Sequence, residues 1–309
     1  MIPAGFDYLR PATVEEALEM ASLDQAAMFL AGGHALLPER KLRRTDPVTL
    51  IDLGRIAGLR GIEILENRAA PHPGGNGEPG SAVRIGAMTT SAAIEHSPDV
   101  ARAAPLLPRA AAVISDPLIR NLATLGGSLA AADPQGDWPP VVLAAGATVH
   151  LRGRDGERAV PAREFFATNS GGHGSRFTAL RQGELITAVT VPGAGPRTRS
   201  TYLKRMHPAS GHAMIGVAVA ATFDADETCR ECRIAVTGTA TVATRAARAE
   251  DRLTGSRLTP DVIEAAADAA NDGIAFTGDH FGSAAYLAEL LPVYVSRALS
   301  QIAAPPPLA

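Results

Sequence analysis

The sequence predicts an α+β protein in two unequal parts: a large region of strands, glycine turns and helices, then a smaller one in which strands come first and helices follow. Three observations carry this prediction. Two glycine pairs in similar surroundings, Gly32-Gly33 and Gly126-Gly127, punctuate the first region. Gly193-Ala194-Gly195-Pro196 breaks the pattern and marks a boundary, giving domains at 1–195 and 196–309. The length of 309 residues also exceeds one small domain and fits a large domain with a smaller companion.

Phe6 to Leu9 reads as a short strand, followed by a helix that Thr13 caps and Glu16 closes as a capping box, with Ala17, Leu18 and Met20 toward the core. Met28 to Ala31 is a strand entering the first glycine pair, and Val48 to Leu53 is another, after a basic turn at Lys41 to Arg44. Gly61 to Leu65 and Val83 to Ala87 form a hairpin across a glycine- and proline-rich connection, Pro71 to Ser81. Helices are expected from Thr89 and over Pro105 to Val113, then a helix end and strand over Val141 to Leu151, and a strand at Ile186 to Pro192. Past the boundary, Thr201 to Arg205, Ala213 to Phe223 and Cys232 to Thr239 read as strands. Thr244 to Leu253, Pro260 to Asn271 and Ser283 to Ser300 carry helical periodicity. That order predicts a small antiparallel sheet covered on one face by helices.

Composition excludes several classes. Lys and Arg (29) nearly balance Asp and Glu (32), and aromatics make up only 4% of the chain, so neither a phosphate-backbone footprint nor a base-stacking platform is present; nucleic acid is not an expected partner. No segment reaches the ~18 uninterrupted apolar residues of a membrane span, and the N-terminus lacks the pattern of a signal peptide, so a cytoplasmic location is expected. Cys229 and Cys232 are the only cysteines, fewer than the about four ligands of a structural zinc or iron–sulfur site, and they read as inert thiols.

Each glycine pair admits two readings, a strand-to-helix turn or an amide nest for an anion. Glycine lacks a Cβ, so successive amides can approach phosphate closely. Two nests, at Ala31-Gly32-Gly33-His34-Ala35-Leu36 and at Thr124-Leu125-Gly126-Gly127-Ser128, would grip a diphosphate from both sides. A Cβ at Gly32 or Gly127 is then expected to block the diphosphate. Downstream, Asp133 and Asp137 either hold sugar hydroxyls or cap turns before Pro134 and Trp138. Gly75-Asn76-Gly77-Glu78-Pro79-Gly80 matches a dinucleotide fingerprint in form only, because Pro79 and the strand after it deny the helix that motif requires. Asn169 to Arg176 reads as a loop.

With these residues the chain resembles the FAD-binding medium subunits of the molybdenum hydroxylases, the carbon monoxide dehydrogenase and xanthine dehydrogenase flavoprotein family. The resemblance rests on Ala31 to Pro38 with Lys41-Leu42-Arg43, on Thr124 to Pro134 with Asp137, and on Tyr202-Leu203-Lys204 leading to Gly216-Val217-Ala218-Val219. Thr237-Gly238, Arg245, Glu250, Tyr286 and Arg297-Ala298-Leu299 extend it through the second domain.

The resemblance implies a vanillyl-alcohol-oxidase-like, PCMH-type FAD-binding domain of two α/β subdomains and a small α+β C-terminal domain. It implies FAD as cofactor, with Ala31 to Leu36 and Thr124 to Ser128 along the pyrophosphate and ribityl chain, Asp137 on the cofactor's hydroxyls, and Ile186 and Lys204 near the flavin ring. There Lys204 would stabilise the reduced flavin as a cation. His207-Pro208-Ala209-Ser210-Gly211-His212 departs from the Arg-rich stretch and Asp-aromatic pair of many relatives, so ring contacts there are not carried over. The implied function is electron transfer within a complex. A small subunit with 2Fe-2S clusters feeds this chain, a large molybdopterin subunit oxidises the substrate, and the heterotrimer stands alone or dimerised. Neither a catalytic acid–base pair nor a metal is expected in this chain. The alternatives are a cofactor-poor scaffold or a stand-alone FAD oxidoreductase.

Overall fold

A computed structural model of the chain describes residues 5–42, 49–66, 81–166 and 177–303. The fingerprint-like stretch at 75–80, the loop at 169–176 and part of the basic turn at 41–44 lie outside the described residues.

The first subdomain holds β1 (Asp7–Leu9), α1 (Val14–Leu23), β2 (Met28–Leu30), α2 (Leu36–Lys41) and β3 (Thr49–Asp52). Its sheet is parallel in the order β1-β3-β2, with Leu50 opposite both Tyr8 and Met28. Thr13 Oγ1 accepts from the Glu16 amide (3.1 Å), satisfying one orphan donor of α1, while the Glu16 carboxylate takes the amide of Ala12 (2.7 Å), one residue before the box expected at Thr13. Ala17 and Leu18 then turn inward onto Ile51 and Leu53, while Met20 is partly buried against the same cluster.

The second subdomain runs through β4 (Ile62–Leu65), β5 (Ala82–Gly86), α3 (Ser91–Glu95), α4 (Pro98–Ala103), α5 (Leu106–Ala111), α6 (Pro117–Arg120), α7 (Leu125–Ala131), α8 (Trp138–Ala144), β6 (Thr148–Gly153), β7 (Gly156–Pro161), α9 (Ala162–Phe165) and β8 (Leu185–Pro192). Its five strands are all antiparallel, in the order β4-β5-β8-β6-β7. This corrects the expectation of two α/β subdomains. All its strands pair antiparallel, six of its seven helices enter as one block between β5 and β6, and α9 lies between β7 and β8, so only the first subdomain is parallel. Val83, Ile85, Val149, Val189 and Val191 face that helical block and build the largest apolar core with Leu107, Leu125, Leu129 and Trp138.

The C-terminal domain is a four-stranded antiparallel sheet, β12-β11-β10-β9, built from β9 (Thr198–Met206), β10 (Ala213–Phe223), β11 (Cys229–Thr237) and β12 (Thr244–Arg245), with α10 (Ala247–Leu253), α11 (Pro260–Asp268) and α12 (Ala284–Ala303). Period-two alternation assigns its faces. Val217, Val219, Ala221, Ile234 and Val236 pack under the domain's own helices, whereas Tyr202, Ala218 and Ala235 join the core of the second subdomain. The sheet is therefore covered on both faces, and the expectation of a single covered face is corrected: α8 of the FAD-binding region packs on β10 and β11. Helix was expected from Thr244, but Thr244–Arg245 add an edge strand, and the Arg245 guanidinium forks onto buried Glu250. Among the described residues, no helix is long and apolar enough to cross a membrane.

Candidate functional site

The two glycine motifs lie against each other. A Cβ on Gly32 would sit 2.1 Å from the Leu122 carbonyl oxygen and 3.1 Å from Ala123 Cα, and one on Gly127 would sit 3.2 Å from Ala31 Cβ. Gly126 is pressed onto Ala87, where a Cβ would fall 2.5 Å from the alanine's own. The approaches at Gly32 and Gly127 dock the first subdomain onto the second, and that at Gly126 packs α7 onto the end of β5.

The motifs differ in what their amides do. In the second, Leu125 N donates to Thr89 O (3.0 Å), Gly126 N to Ala87 O (2.8 Å), Gly127 N to Thr124 Oγ1 (3.2 Å) and Ser128 N to Thr124 O (3.0 Å). This corrects the reading of Gly126-Gly127 as an open nest: Thr124 is the N-cap of α7, and the glycines are its first turn. In the first motif the amides of Gly32, Gly33, His34 and Ala35 make no hydrogen bond to any described residue. Gly33 adopts φ +77°, which turns the chain as an anion cradle requires, and His34 Nδ1 is bonded to Gly32 O at 2.9 Å. Leu36 begins α2, whose Leu37 amide returns to Gly33 O. A Cβ at Gly32 would strike Leu122, so its expected effect on the diphosphate would come through parting the two motifs.

Asp137, Tyr202 and Lys204 form a buried polar cluster where α8 meets β9. Asp137 Oδ1 accepts from the Tyr202 hydroxyl (2.6 Å) and from Lys204 Nζ (3.1 Å), Oδ2 accepts from Lys204 Nζ (3.1 Å), and Nζ also donates to Gly211 O (2.9 Å). The Lys204 and Asp137 side chains are only 3% and 7% exposed, so this is a dry ion pair that would cost dearly if one partner were removed. Asp137 does not cap α8 with its side chain. Burial pushes its carboxyl up from the usual range, while the Lys204 charge and the Tyr202 hydroxyl pull it back. Burial, then the Asp137 charge, push the Tyr202 phenol well up. The Lys204 ammonium lies within hydrogen-bond distance of three protein oxygens and its charge is matched by Asp137.

Asp133 stands apart from this cluster. Its Oδ1 takes the Gln135 amide (2.8 Å) and its Oδ2 lies 3.8 Å from His212 Nδ1, so it closes the turn between α7 and α8. That turn is stitched to the C-terminal sheet, with Pro134 O accepting from Gly238 N and Thr237 Oγ1, both at 2.7 Å. Ile186 is buried in β8, in the core shared with Leu125 and Leu129 of α7. His207 is an anchor for its loop: Nδ1 receives the Ala209 and Ser210 amides, Nε2 faces Asp279 at 3.4 Å, and the ring stacks edge-on against Phe281. Cys229 and Cys232 are buried and unbridged, and among the described residues no group of three or more His, Cys, Asp or Glu side chains is placed to hold a metal ion.

In the sequence, Tyr202 stands out only as part of a motif. Its signal was the period of two that sets Tyr202 and Lys204 on one face of a strand, with Gly216 on the neighbouring strand, where a Cβ would come 2.4 Å from the Tyr202 hydroxyl.

Two family models cover the chain: the FAD binding domain in molybdopterin dehydrogenase over residues 4–194, and the CO dehydrogenase flavoprotein C-terminal domain over residues 200–302. The carbon monoxide dehydrogenase medium chain of Hydrogenophaga pseudoflava is 37% identical over 301 residues, covering 97% of this chain and 98% of its own. The nicotine 6-hydroxylase medium subunit of Paenarthrobacter nicotinovorans is 34% identical over 297 residues, 96% of this chain and 97% of its own. In three dimensions the fold matches carbon monoxide dehydrogenase from H. pseudoflava with a TM-score of 0.87 at 38% identity, covering 97% of this chain and 98% of that one. It matches quinoline 2-oxidoreductase from Pseudomonas putida 86 with a TM-score of 0.84 at 28% identity, covering 98% of each. Two glycine motifs docked together in a PCMH-type fold, followed by this C-terminal domain, make the chain a member of the electron-transfer flavoprotein (medium-subunit) family of the molybdenum hydroxylases, an oxidoreductase family with an FAD-binding domain.

Proposed function

We propose that this chain binds FAD between its glycine motifs and the Asp137 cluster, receives electrons from the 2Fe-2S clusters of a small partner subunit, and passes them to an external acceptor. Substrate oxidation falls to a large molybdopterin subunit, in a heterotrimer that stands alone or dimerises in the cytoplasm. The observation that carries the reading is the run of four consecutive amides, Gly32 to Ala35, with no bond to a described residue, set where the second motif packs against the first. Such a run fits the diphosphate of a dinucleotide, because amides that no protein group satisfies are stabilised by an anion. The names of the relatives, medium chain and medium subunit, support a multi-subunit setting.

FAD, when bound, supplies one- and two-electron redox chemistry. The chain supplies the holding. Gly32, Gly33, His34 and Ala35 donate amides to phosphate oxygens; Ala31 and Leu36 shape the two ends of that turn. Thr124, Gly126 and Gly127 hold α7 in place, Ser128 offers a hydroxyl, and Asp133 borders the turn beyond. Asp137 accepts from a cofactor hydroxyl, Ile186 gives the ring an apolar neighbour, and Lys204 keeps Asp137 charged and in position. The domains divide at 195/196, so β9 of the second domain brings Lys204 and Tyr202 to a site begun by the first.

The test is the absorption spectrum of the purified full chain before and after adding FAD, with iron and molybdenum assayed in whatever co-purifies. Stoichiometric FAD with iron- and molybdenum-bearing partners is expected. A folded chain that binds no FAD overturns the reading in favour of a scaffold, and full turnover by the isolated chain favours a stand-alone oxidoreductase.

A further inference from the structure

From the geometry of the buried cluster we infer that Tyr202 is a positioning residue for cofactor binding, its hydroxyl fixing the Asp137 carboxylate that receives a hydroxyl of the dinucleotide. The inference rests on the reading that Asp137 touches the cofactor, and gives a role to Tyr202, which that reading only places beside the site.

A carboxylate offers about four acceptor positions. Three are filled here: Tyr202 and Lys204 on Oδ1, and Lys204 on Oδ2. The remaining position is on Oδ2, so the two protein donors select which oxygen, and which of its lone pairs, stays open to a ligand hydroxyl. Lys204 alone would not do this, because an ammonium on a flexible stem follows a carboxylate as it rotates. Tyr202 does not follow. Its ring is held in the interdomain core, and β10 places a glycine, Gly216, where any Cβ would come 2.4 Å from the hydroxyl.

A Cβ at Gly216 would meet the Tyr202 hydroxyl at 2.4 Å and Thr237 Cγ2 at 2.7 Å, so glycine at this position of β10 leaves the room in which the phenol reaches Asp137. Burial works against the charged carboxylate, and the Tyr202 hydrogen bond opposes burial, so its loss would shift Asp137 toward the protonated form. The charged or titratable groups facing Asp137 are Tyr202 and Lys204 from β9 and His212 from the loop after it. His212 and the phosphates are common to wild type and variant, so a difference between the two pH profiles isolates the hydroxyl.

The experiment is FAD titration of the full chain, followed by flavin fluorescence from about pH 6 to about pH 9, for wild type, Tyr202→Phe and Asp137→Asn. Tyr202→Phe is expected to bind FAD about tenfold more weakly than wild type, with the loss growing as pH falls. Gly216→Ala, which displaces the hydroxyl instead of deleting it, is expected to weaken binding the same way, and serves if Tyr202→Phe does not fold. A loss of affinity equal at every pH marks a merely structural tyrosine and overturns the inference, as does an unchanged profile. If Asp137→Asn binds FAD like wild type, the contact between Asp137 and the cofactor is wrong and the inference falls with it. If Asp137→Asn binds weakly while Tyr202→Phe matches wild type, only the role of Tyr202 is overturned.

Discussion

Gly32→Ala separates a glycine that serves the fold from one that serves a ligand. The added Cβ would lie 2.1 Å from the Leu122 carbonyl oxygen and 2.9 Å from its carbon, both backbone atoms. A carbon–oxygen contact is comfortable at roughly 3.3 Å, so the two motifs must part by about 1 Å. Overpacking of this kind costs about 1–3 kcal/mol, the upper value being roughly 150-fold in an equilibrium constant. The comparison is Gly58→Ala, in a short 3₁₀ turn where a Cβ meets nothing within 4 Å, and where the change is expected to stay within about 0.5 kcal/mol. Urea unfolding without cofactor gives the stability loss, and FAD titration of the same samples gives the binding loss. Gly32→Ala should lose both, because parting the motifs loosens the subdomain contact and spreads the Gly32 to Ala35 amides. A variant as stable as Gly58→Ala that still binds FAD normally would refute the claim that Gly32 holds the motifs together.

Two further outcomes follow from the buried charges. Lys204→Met strips the buried Asp137 carboxyl of its counter-charge and is expected to destabilise the chain by about 3–5 kcal/mol in chemical unfolding, while Lys204→Met with Asp137→Leu recovers most of that loss; equal losses in single and double variants would contradict a coupled pair. Burial works against the charged Glu184, yet the Arg158 fork (2.8 and 2.7 Å) and the Arg181 amide outweigh it and hold the carboxyl below its usual value of about 4.5. Its stabilisation is therefore complete above that value and lost as pH falls through the lower folded value, so Glu184→Gln should flatten the acid limb of a stability-versus-pH curve and leave neutral-pH behaviour weaker but pH-independent.

Much of this fold is legible as local pattern. The Thr13 cap of α1, the β4–β5 pairing and β10, which runs over the residues expected as a strand, follow from capping chemistry and period-two alternation. Ser97-Pro98 and Asp116-Pro117 carried the same kind of signal for α4 and α6, a capping side chain ahead of a proline, and were not read as helix starts. The antiparallel pairing of the second subdomain was not legible, because β5 pairs with β8 across about a hundred residues and nothing local encodes that register.

At the site, glycine composition was legible and glycine function was not. Gly33 serves a positive φ, Gly32 and Gly126 serve close backbone approach, and Gly127 sits in the first turn of a capped helix. A sequence shows the same letter in each case, and only the neighbours, Leu122, Ala87 and Thr124, tell them apart. The pairing of Asp137 with Lys204 joins residues 67 apart in the chain, so each could be named as polar and interesting while their mutual neutralisation could not.

The most direct test of the account is amide hydrogen exchange of the full chain with and without FAD, read residue by residue. The amides of Gly32, Gly33, His34 and Ala35 should exchange fast alone and become protected with FAD, whereas those of Gly126, Gly127 and Ser128, already bonded to Ala87 and Thr124, should be protected in both. FAD bound with Gly32 to Ala35 still exchanging freely would contradict the assignment of the first motif as the phosphate cradle.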